Sequence, residues 1–240
     1  MNTLVVEELT DRVVVTLNRE KQRNAIDSEM IGELHEVCAL VEQDPKIVIL
    51  TGAGEHFAGG ADINQLRART RDDALRGINR NLFDRIAALP LPTIAAVRGY
   101  ALGGGAELSY ACDIRIASPT AVFGNPEPGL GIMAAAGASY RLPTLVGVSV
   151  AKQVLLGGRT LDAEVALRSG LVLNVVDEPL AAAHSLADRI AKQAPLALKL
   201  TKKILDAPGS HPWADDIAQA VLFETEDKQR RMTAFLEKKK

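Results

Sequence analysis

The sequence predicts an α/β fold. Short β-branched runs recur along its 240 residues, and each ends in glycine or in a polar turn: VVVTLNR (13–19), IVILTGAG (47–54), TIAAVRGY (93–100), DIRIAS (113–118) and LVLNVV (171–176). Helical patterns lie between several of these runs. Nearly continuous apolar strands that alternate with helices indicate a sheet that is buried on both faces.

The helical patterns differ between the two ends of the chain. In the first part, apolar residues follow the spacing of one helix face from Met30 to Val41 and again from Leu75 to Ile86, where Pro90 closes the helix. After about residue 185 the strand signal disappears, and SLADRIAKQ, LALKLTKKIL and the stretch from Pro212 to Glu237 are typical of helices. We therefore divide the chain into an α/β core, residues 1–185, and a helical region, residues 186–240.

Composition excludes several classes of partner. Apolar residues make up 47% of the chain and charged residues 24%, as in ordinary globular proteins. The formal charge of −2 gives no global field for nucleic acid or an anionic membrane. The N-terminus lacks the basic start of a signal peptide, and no apolar run approaches the roughly 20 residues of a membrane span. Cys38 and Cys112 lie far apart, which favours two buried thiols in a reducing compartment. We expect a soluble, cytoplasmic protein.

The glycine-rich stretch LTGAGEHFAGGADI (50–63) follows a strand but is not a nucleotide-binding loop. The Lys-Ser/Thr of a phosphate loop is missing after Gly59, and Phe57 occupies the third glycine position of the dinucleotide pattern. The stretch leads into a predicted helix at Ala61-Asp62-Ile63, whose start exposes free backbone N–H groups. On this segment alone, an ordinary strand-to-helix turn is the alternative.

Two carboxylates stand in unusual surroundings. Glu107 follows three consecutive glycines in VRGYALGGGAEL (97–108), which indicates either a backbone N–H pocket beside an acid or a loop with a solvated glutamate. Glu127 stands between Pro126 and Pro128, where the alternative is a rigid turn with an exposed glutamate. Two carboxylates in one apolar pocket cannot both ionise cheaply, so one stays protonated while the other is a base.

Other sites are weakly supported. The four histidines show no ligand spacing, and no metal site is expected. No G-x-S-x-G nucleophile motif is present in the sequence.

Taken together, six segments resemble the enoyl-CoA hydratase/isomerase (crotonase) superfamily. They stand in family order and cover nearly the whole chain: NREKQRNAID (18–27), FAGGADI (57–63), VRGYALGGGAELSYACDIRIAS (97–118), FGNPEPGLGI (123–132), RTLDAEVALRSGLV (159–172) and MTAFLEKK (232–239). The resemblance implies a crotonase-like spiral of ββα units, followed by a helical C-terminal trimerisation region. It also implies homo-trimers or hexamers and an acyl-CoA thioester as substrate.

The resemblance further implies an activity and its residues. The thioester oxygen would lie between the backbone N–H groups of Ala61 and Gly104, with Glu107 activating water and Glu127 protonating C2. Reversible hydration of a trans-2-enoyl-CoA to a 3-hydroxyacyl-CoA is the expected reaction, with no metal and no cofactor beyond the CoA of the substrate. A double-bond isomerase and a non-catalytic acyl-CoA-binding protein are the alternatives.

The same resemblance suggests where CoA binds. We expect Arg23, Ala25, Asp62 and Ile63 to hold it, with Arg19 and Lys21 nearby. The terminal run Lys238 to Lys240 either reaches a neighbour's nucleotide site or is a solvated tail. The main departure from the family is Ala134-Ala135-Ala136-Gly137-Ala138, which replaces the usual Pro-Gly-Ala-Gly-Gly turn and bears on how water is placed. Asn64 stands where some relatives carry Lys, and the usual Pro after Asn18-Arg19 is missing.

Overall fold

Two β-sheets organise the chain, as the α/β prediction requires. A computed structural model describes residues 1–207, 209 and 211–237. The strands are β1 Leu4–Glu8, β2 Arg12–Leu17, β3 Ile47–Gly52, β4 Thr93–Val97, β5 Tyr100–Leu102, β6 Ile114–Ala117, β7 Val122–Gly124, β8 Leu161–Asp162 and β9 Asn174–Val175. The helices are α1 Ser28–Gln43, α2 Ile63–Ala68, α3 Arg71–Arg76, α4 Ile78–Ala87, α5 Gly104–Ala111, α6 Ala138–Leu155, α7 Ala163–Arg168, α8 Pro179–Ala191, α9 Pro195–Leu205, α10 Trp213–Phe223 and α11 Glu226–Glu237.

The large sheet has the strand order β1-β2-β3-β4-β6-β9, and the small sheet has the order β5-β7-β8. The large sheet is parallel except for the antiparallel pair of β1 and β2. Consecutive strands enter different sheets: β4 and β6 join the large one, while β5 and β7 join the small one. Each such pair is followed by a helix, α5 or α6. These are the turns of the ββα spiral that the family resemblance implies.

The large sheet is buried on both faces, which explains its nearly continuous apolar strands. Val13, Val15 and Leu17 of β2 belong to the main core, which α1, α4 and α5 complete. Val14 of the same strand faces the other way, into a second core that α8 covers with Ala183, Leu186, Ala187 and Ile190. The two-residue period of a strand produces this division.

Two details of the sequence prediction are wrong. The helix expected from Leu75 to Ile86 is broken at Gly77, whose φ of 61° is left-handed. Thr70 and Asp73 form a capping box that starts α3 separately, and Leu75 is 75% exposed instead of facing the core. The run LVLNVV contributes only the two-residue strand β9.

A buried arginine fixes the helix that carries the glycine-rich motif. The Arg115 guanidinium donates to the carbonyl oxygens of Leu171 at 2.7 Å, Cys112 at 2.6 Å and Ser109 at 3.1 Å. Ser109 lies in α5 and Cys112 caps its C-terminus. A cation at a helix C-terminus satisfies carbonyls that have no partner within the helix.

Helix α9 is tied to the core by a partly buried ion pair. Lys202 of α9 contacts Asp113 Oδ2 at 2.6 Å, and that carboxylate also accepts the Thr93 N–H at 2.7 Å. Among the described residues, no helix has the length and apolar character of a membrane span. Lys238, Lys239 and Lys240, discussed above as a basic tail, lie outside the described residues.

Candidate active site

Two backbone N–H groups meet where α5 begins. Gly104 is the first residue of α5, so its N–H has no acceptor within the helix. Ala61 lies just before α2, in a short parallel bridge with Ile26, and its N–H donates to no backbone oxygen of the described residues. A Cβ built on Gly104 would lie 3.5 Å from Ala61 N, so the two residues are close neighbours, and both line the same cavity. Together they can hold one oxygen atom.

The glycines of the motif meet distinct steric demands. Gly103 has a φ of 51°, and a Cβ there would lie 3.1 Å from Glu127 Oε1. A Cβ on Gly105 would lie 2.3 Å from the Ala58 carbonyl oxygen, closer than real Cβ contacts. Any side chain at Gly105 would therefore push α5 away from the segment that carries Ala61.

Glu107 lies in the first turn of α5 and is only 3% exposed. Its Oε1 accepts the backbone N–H groups of Ala136 at 2.7 Å and Ala138 at 3.1 Å. Burial raises the pKa of this carboxyl to about 7, the Glu127 charge adds to the shift, and the two N–H donors oppose it. Two backbone hydrogen bonds therefore hold the Glu107 side chain in place. No ion pair holds it among the described residues, and its pKa lies near neutrality.

The altered turn at residues 134–138 still serves the acid. Both donors to Glu107 are main-chain groups, so the alanines at 136 and 138 supply them as any residue except proline would. The departure from the usual turn thus leaves the support of Glu107 intact.

Glu127 begins a short 3-10 helix, Glu127–Leu130, directly after Pro126. The residue is 8% exposed, and burial raises the pKa of its carboxyl. Its Oε2 and the side-chain nitrogen of Asn125 are both buried, and neither has a hydrogen-bond partner among the described residues. Buried polar atoms without partners mark a place where a water or a substrate group binds.

One cavity of about 490 Å³ joins these groups. Ala61, Gly104, Glu107 and Glu127 all line it, as do Leu66, Ala74, Ile78, Ile132 and Met133. The structure thus brings together the four residues that the sequence selected for catalysis. An oxygen-binding N–H pair and two titrating carboxyls in one apolar cavity can support proton transfer next to a carbonyl group.

The four residues expected to bind CoA lie in two adjoining segments beside this cavity. The bridge between Ile26 and Ala61 places their chain neighbours, Ala25 and Asp62, in adjoining segments. Asp62 caps α2, which begins at Ile63. Arg23 is exposed, with its guanidinium 5.8 Å from the centre of the Tyr100 ring.

Arg19 differs from its exposed neighbours Lys21 and Arg23. It contacts Asp27 and Asp62 at 3.2 Å each, and its Nη1 donates to the Ala25 carbonyl oxygen at 2.6 Å. Its charge is thus already compensated by two aspartates, whereas Lys21 and Arg23 have no carboxylate partner in the part of the chain that the structure describes.

Sequence reasoning missed several groups of the site. The Ala136 and Ala138 donors belong to the backbone and leave no signal in side-chain identity. Asn79 and Arg69, which also line the cavity, were overlooked as well. Asn79 interrupts the apolar face that Leu82, Phe83 and Ile86 continue, and a polar residue on such a face is the signal that could have identified it.

Comparisons with known proteins agree with this geometry. The short-chain-enoyl-CoA hydratase of Clostridium acetobutylicum is 41% identical, and the match covers 100% of this chain and 97% of that protein. The crotonyl-CoA hydratase of Syntrophomonas wolfei is 37% identical over 99% of this chain and 96% of its own. The crystal structure of an enoyl-CoA hydratase from Bacillus anthracis superposes with a TM-score of 0.92 at 34% identity, covering 98% of this chain and 96% of that one. The structure of Pseudomonas aeruginosa DspI superposes with a TM-score of 0.94 at 32% identity, covering 99% of this chain and 95% of that one.

The match to the family is equally broad. A sequence model described as enoyl-CoA hydratase/isomerase fits residues 11–240. Since that match spans nearly the whole chain, this protein belongs to the enoyl-CoA hydratase/isomerase family.

Proposed function

We propose that this protein hydrates a trans-2-enoyl-CoA to a 3-hydroxyacyl-CoA, reversibly. One observation carries the proposal: two buried carboxyl groups line one cavity together with two backbone N–H groups that have no backbone acceptor among the described residues. The activity of relatives that match end to end supports the same reaction. The chemistry adds one water across a double bond, so it uses no cofactor beyond the CoA of the substrate.

The N–H groups of Ala61 and Gly104 bind the thioester oxygen. As water attacks C3, negative charge moves onto that oxygen, and the N–H groups stabilise it more strongly in the transition state than before. Removing one such donor costs about 2.7–4 kcal/mol in enzymes where this has been measured. The positive end of α5 acts in the same direction.

The two carboxyls share one proton and divide the work. In the form that adds water, Glu107 is the anion, which accepts its two N–H donors, and Glu127 carries the shared proton next to a cavity wall where its Oε2 has no partner among the described residues. Glu107 takes a proton from water, and the hydroxyl oxygen forms its bond to C3. Glu127 then gives its proton to C2. The double bond becomes single, and the dyad ends with its one proton on the other carboxyl.

The alternatives differ in what they require. An isomerase moves a proton between carbons and needs one well-placed carboxyl, whereas this cavity presents two. A non-catalytic binder would not need either acid to titrate near neutrality, as Glu107 does. Mixing the protein with crotonyl-CoA distinguishes them: a hydratase removes the enoyl-thioester absorbance quickly, an isomerase slowly, and a binder not at all.

CoA binding follows the two adjoining segments. We assign the nucleotide end to Arg23 and Ala25, and the chain that leads to the thioester to Asp62 and Ile63. Lys21 and Arg23 are the exposed cations of this surface, because Arg19 is paired with Asp27 and Asp62.

The C-terminal helices support assembly into a trimer or a hexamer. Their exposed apolar residues include Leu205 at 70%, Trp213 at 66% and Ile217 at 55%. Apolar side chains also line a groove between α9 and α10. Contiguous apolar surface of this kind is typical of an interface, and closed symmetry is the usual solution. We assign assembly to residues 186–240. Helix α8 extends across the start of this region, and its buried face packs on the large sheet.

We also propose a cytoplasmic location. Cys38 and Cys112 are buried and unbridged, and such thiols are typical of a reducing compartment.

Replacing either acid by its amide should abolish most of the activity. Glu107→Gln and Glu127→Gln keep the shape of the side chain but remove proton transfer, so each should lower kcat for crotonyl-CoA hydration at least about 10²-fold. Binding of the 3-hydroxyacyl-CoA product should change little. Glu164→Gln on the surface is the control and should keep full activity. Near wild-type turnover in either acid variant would remove that residue from its role.

The same Glu107→Gln change should stabilise the fold at neutral and alkaline pH. The folded pKa of about 7 lies above the value of about 4.3 for an unfolded glutamate. The wild type therefore loses stability as pH rises through this interval, and the loss is complete above the folded pKa. At pH 8 the free energy of unfolding of the variant should exceed that of the wild type by about 1–3 kcal/mol. Near pH 4 the two values should be almost equal.

Glu33→Gln is the matched control for that measurement. Hydrogen bonds from Thr3 and Asn2 hold the pKa of this buried carboxyl below its usual range, despite the opposing effect of burial. Its replacement should therefore lower stability at pH 8. A Glu107→Gln protein that is less stable than the wild type at pH 8 would contradict the assigned burial penalty.

Arg23→Ala should raise KM for an acyl-CoA but not for the matching pantetheine thioester, which lacks the nucleotide. A charge-assisted hydrogen bond to phosphate is worth about 1.5–3 kcal/mol, so the rise should be about tenfold or more. Arg168→Ala, which removes an exposed arginine paired with Glu164, is the control. Equal losses with both thioesters would remove Arg23 from nucleotide binding.

Light scattering of the full chain should give three or six times the protomer mass of 25.7 kDa. Ile217→Glu places a charge in the groove of α10 and should lower that mass, whereas Leu156→Glu, an exposed leucine outside the C-terminal helices, should not. A chain that ends near residue 184 should aggregate, but it also cuts α8 in half, so the point variants are the sharper test. A wild-type mass near 25.7 kDa at micromolar concentration would exclude the assembly.

A further inference from the structure

The cavity wall formed by α4 and the segment before α3 carries polar groups that the hydration chemistry does not use. Asn79 and Arg69 stand there among apolar neighbours such as Leu66 and Ile78. Hydration of an apolar chain needs neither of them, because the N–H pair and the two acids complete that mechanism.

Asn79 is a buried amide with an unused donor. It is 7% exposed, and its Oδ1 accepts a hydrogen bond from Arg69 Nη1 at 2.8 Å. Its Nδ2 lies 3.9 Å from the position that a Cβ on Gly104 would take. No acceptor for this nitrogen lies within bonding distance in the described part of the chain. This nitrogen borders the cavity and is not among the fully buried polar atoms, so water reaches it, and an acceptor on a bound molecule can replace that water.

Arg69 is a half-buried cation without a counter-ion. Its hydrogen bond goes to the neutral amide of Asn79, and no carboxylate of the described residues lies within ion-pair distance. Asp73 is the acid that feels its charge, but this carboxylate already accepts from the Thr70 N–H and hydroxyl and faces Arg76 at 3.8 Å.

Two other arginines line the cavity and differ from Arg69. Arg71 is exposed and pairs with Asp72 at 3.1 Å. Arg80 is also exposed, and its Nη2 donates to Asn81 Oδ1. Like Arg69, Arg80 has a neutral amide as its hydrogen-bond partner, but its charge is solvated, whereas Arg69 is the half-buried cation of this wall among the described residues.

We propose that the acyl pocket selects 2-enoyl-CoA esters whose short acyl chain ends in a carboxylate, bound by Arg69 and Asn79. This inference rests on the hydratase function proposed above. A methyl-ended chain would exclude water from the wall and leave the Asn79 amide and the remaining guanidinium donors without acceptors. A carboxylate offers two acceptor oxygens, which match the guanidinium fork and compensate its charge. The volume of about 490 Å³ suits a short acyl chain.

The test compares two trans-2-enoyl-CoA esters of six carbons, one ending in a methyl group and the other in a carboxylate. The wild type should show a kcat/KM at least about tenfold higher for the carboxylate ester, as one charge-assisted hydrogen bond allows. In Arg69→Met the ratio of the two kcat/KM values should fall at least about tenfold, mainly through KM for the carboxylate ester. Arg71→Met, on the same wall but paired with Asp72, should keep the wild-type ratio.

A wild type that hydrates the methyl ester as well as the carboxylate ester would overturn the proposal. So would an Arg69→Met variant that loses both activities equally, because the side chain would then act on the common chemistry. Asn79→Leu gives a second reading: a fall in the ratio supports the carboxylate site, and equal losses would place the amide at the thioester instead.

A binding measurement separates this inference from the hydratase function. Titration calorimetry with the two saturated six-carbon acyl-CoA esters needs no catalysis. The carboxylate ester should bind at least about tenfold more tightly to the wild type, and Arg69→Met should lose that advantage. If neither enoyl ester were hydrated but this difference remained, the proposed function would fail while the selectivity stood. If the methyl ester were hydrated and the two saturated esters bound equally well, the hydratase function would stand and the carboxylate selectivity would fail.

Discussion

The burial of two carboxyl groups in one cavity is the constraint on which the rest of the structure depends. Glu107 is 3% exposed and Glu127 is 8% exposed, and neither has a cation as its hydrogen-bond partner among the described residues. Such a pair is tolerable only if it shares a proton and if the surrounding elements keep each carboxyl where it is. The backbone donors at Ala136 and Ala138 meet this demand for Glu107 without neutralising it, which a lysine or arginine would do. The fold therefore keeps the acids reactive while it holds them rigidly.

Helix α5 connects this constraint to the architecture. Its first N–H faces the oxygen-binding space, and Glu107 follows in the same turn. Arg115 satisfies the carbonyls at its other end. Every residue of the helix is buried, and the helix packs against β5 of the small sheet, α4 and α6. Because Gly105 allows the Ala58 carbonyl to come close, the helix cannot shift without separating the Gly104 donor from Ala61. The oxygen site and the acid site are thus set by the position of one rigid element.

Much of this arrangement could be predicted from the sequence, and there are physical reasons why the rest could not. Three glycines before Glu107 and two prolines around Glu127 mark places where the backbone is unusual, so both acids could be predicted. The family resemblance adds the Ala61 donor, which no side chain indicates. The support of Glu107 could not be predicted, since main-chain N–H groups carry no residue identity and the substituted turn hides them. Leu75 was misplaced because Gly77 ends one helix and starts another without interrupting the apolar spacing. The ion pairs of Arg19 could not be predicted, because Asp27 and Asp62 meet it only through tertiary contacts.

The cavity walls to which we assign catalysis and acyl selectivity differ in how deeply their helices are buried. Helix α5 is wholly buried, whereas α2 and α3 contain no buried residue. A substitution in α5 must fit a packed interior, and most changes there alter the distance between donors and acids. The walls from α2 to the start of α4 face solvent on their outer side, so their side chains can change at little cost to the fold. Selectivity for the acyl group can therefore vary among chains of this fold while the hydration chemistry stays constant. Arg69 follows the exposed helix α2 and Asn79 lies at the buried start of α4, so under our proposal a substitution at Arg69 changes which acyl groups bind without moving the two acids.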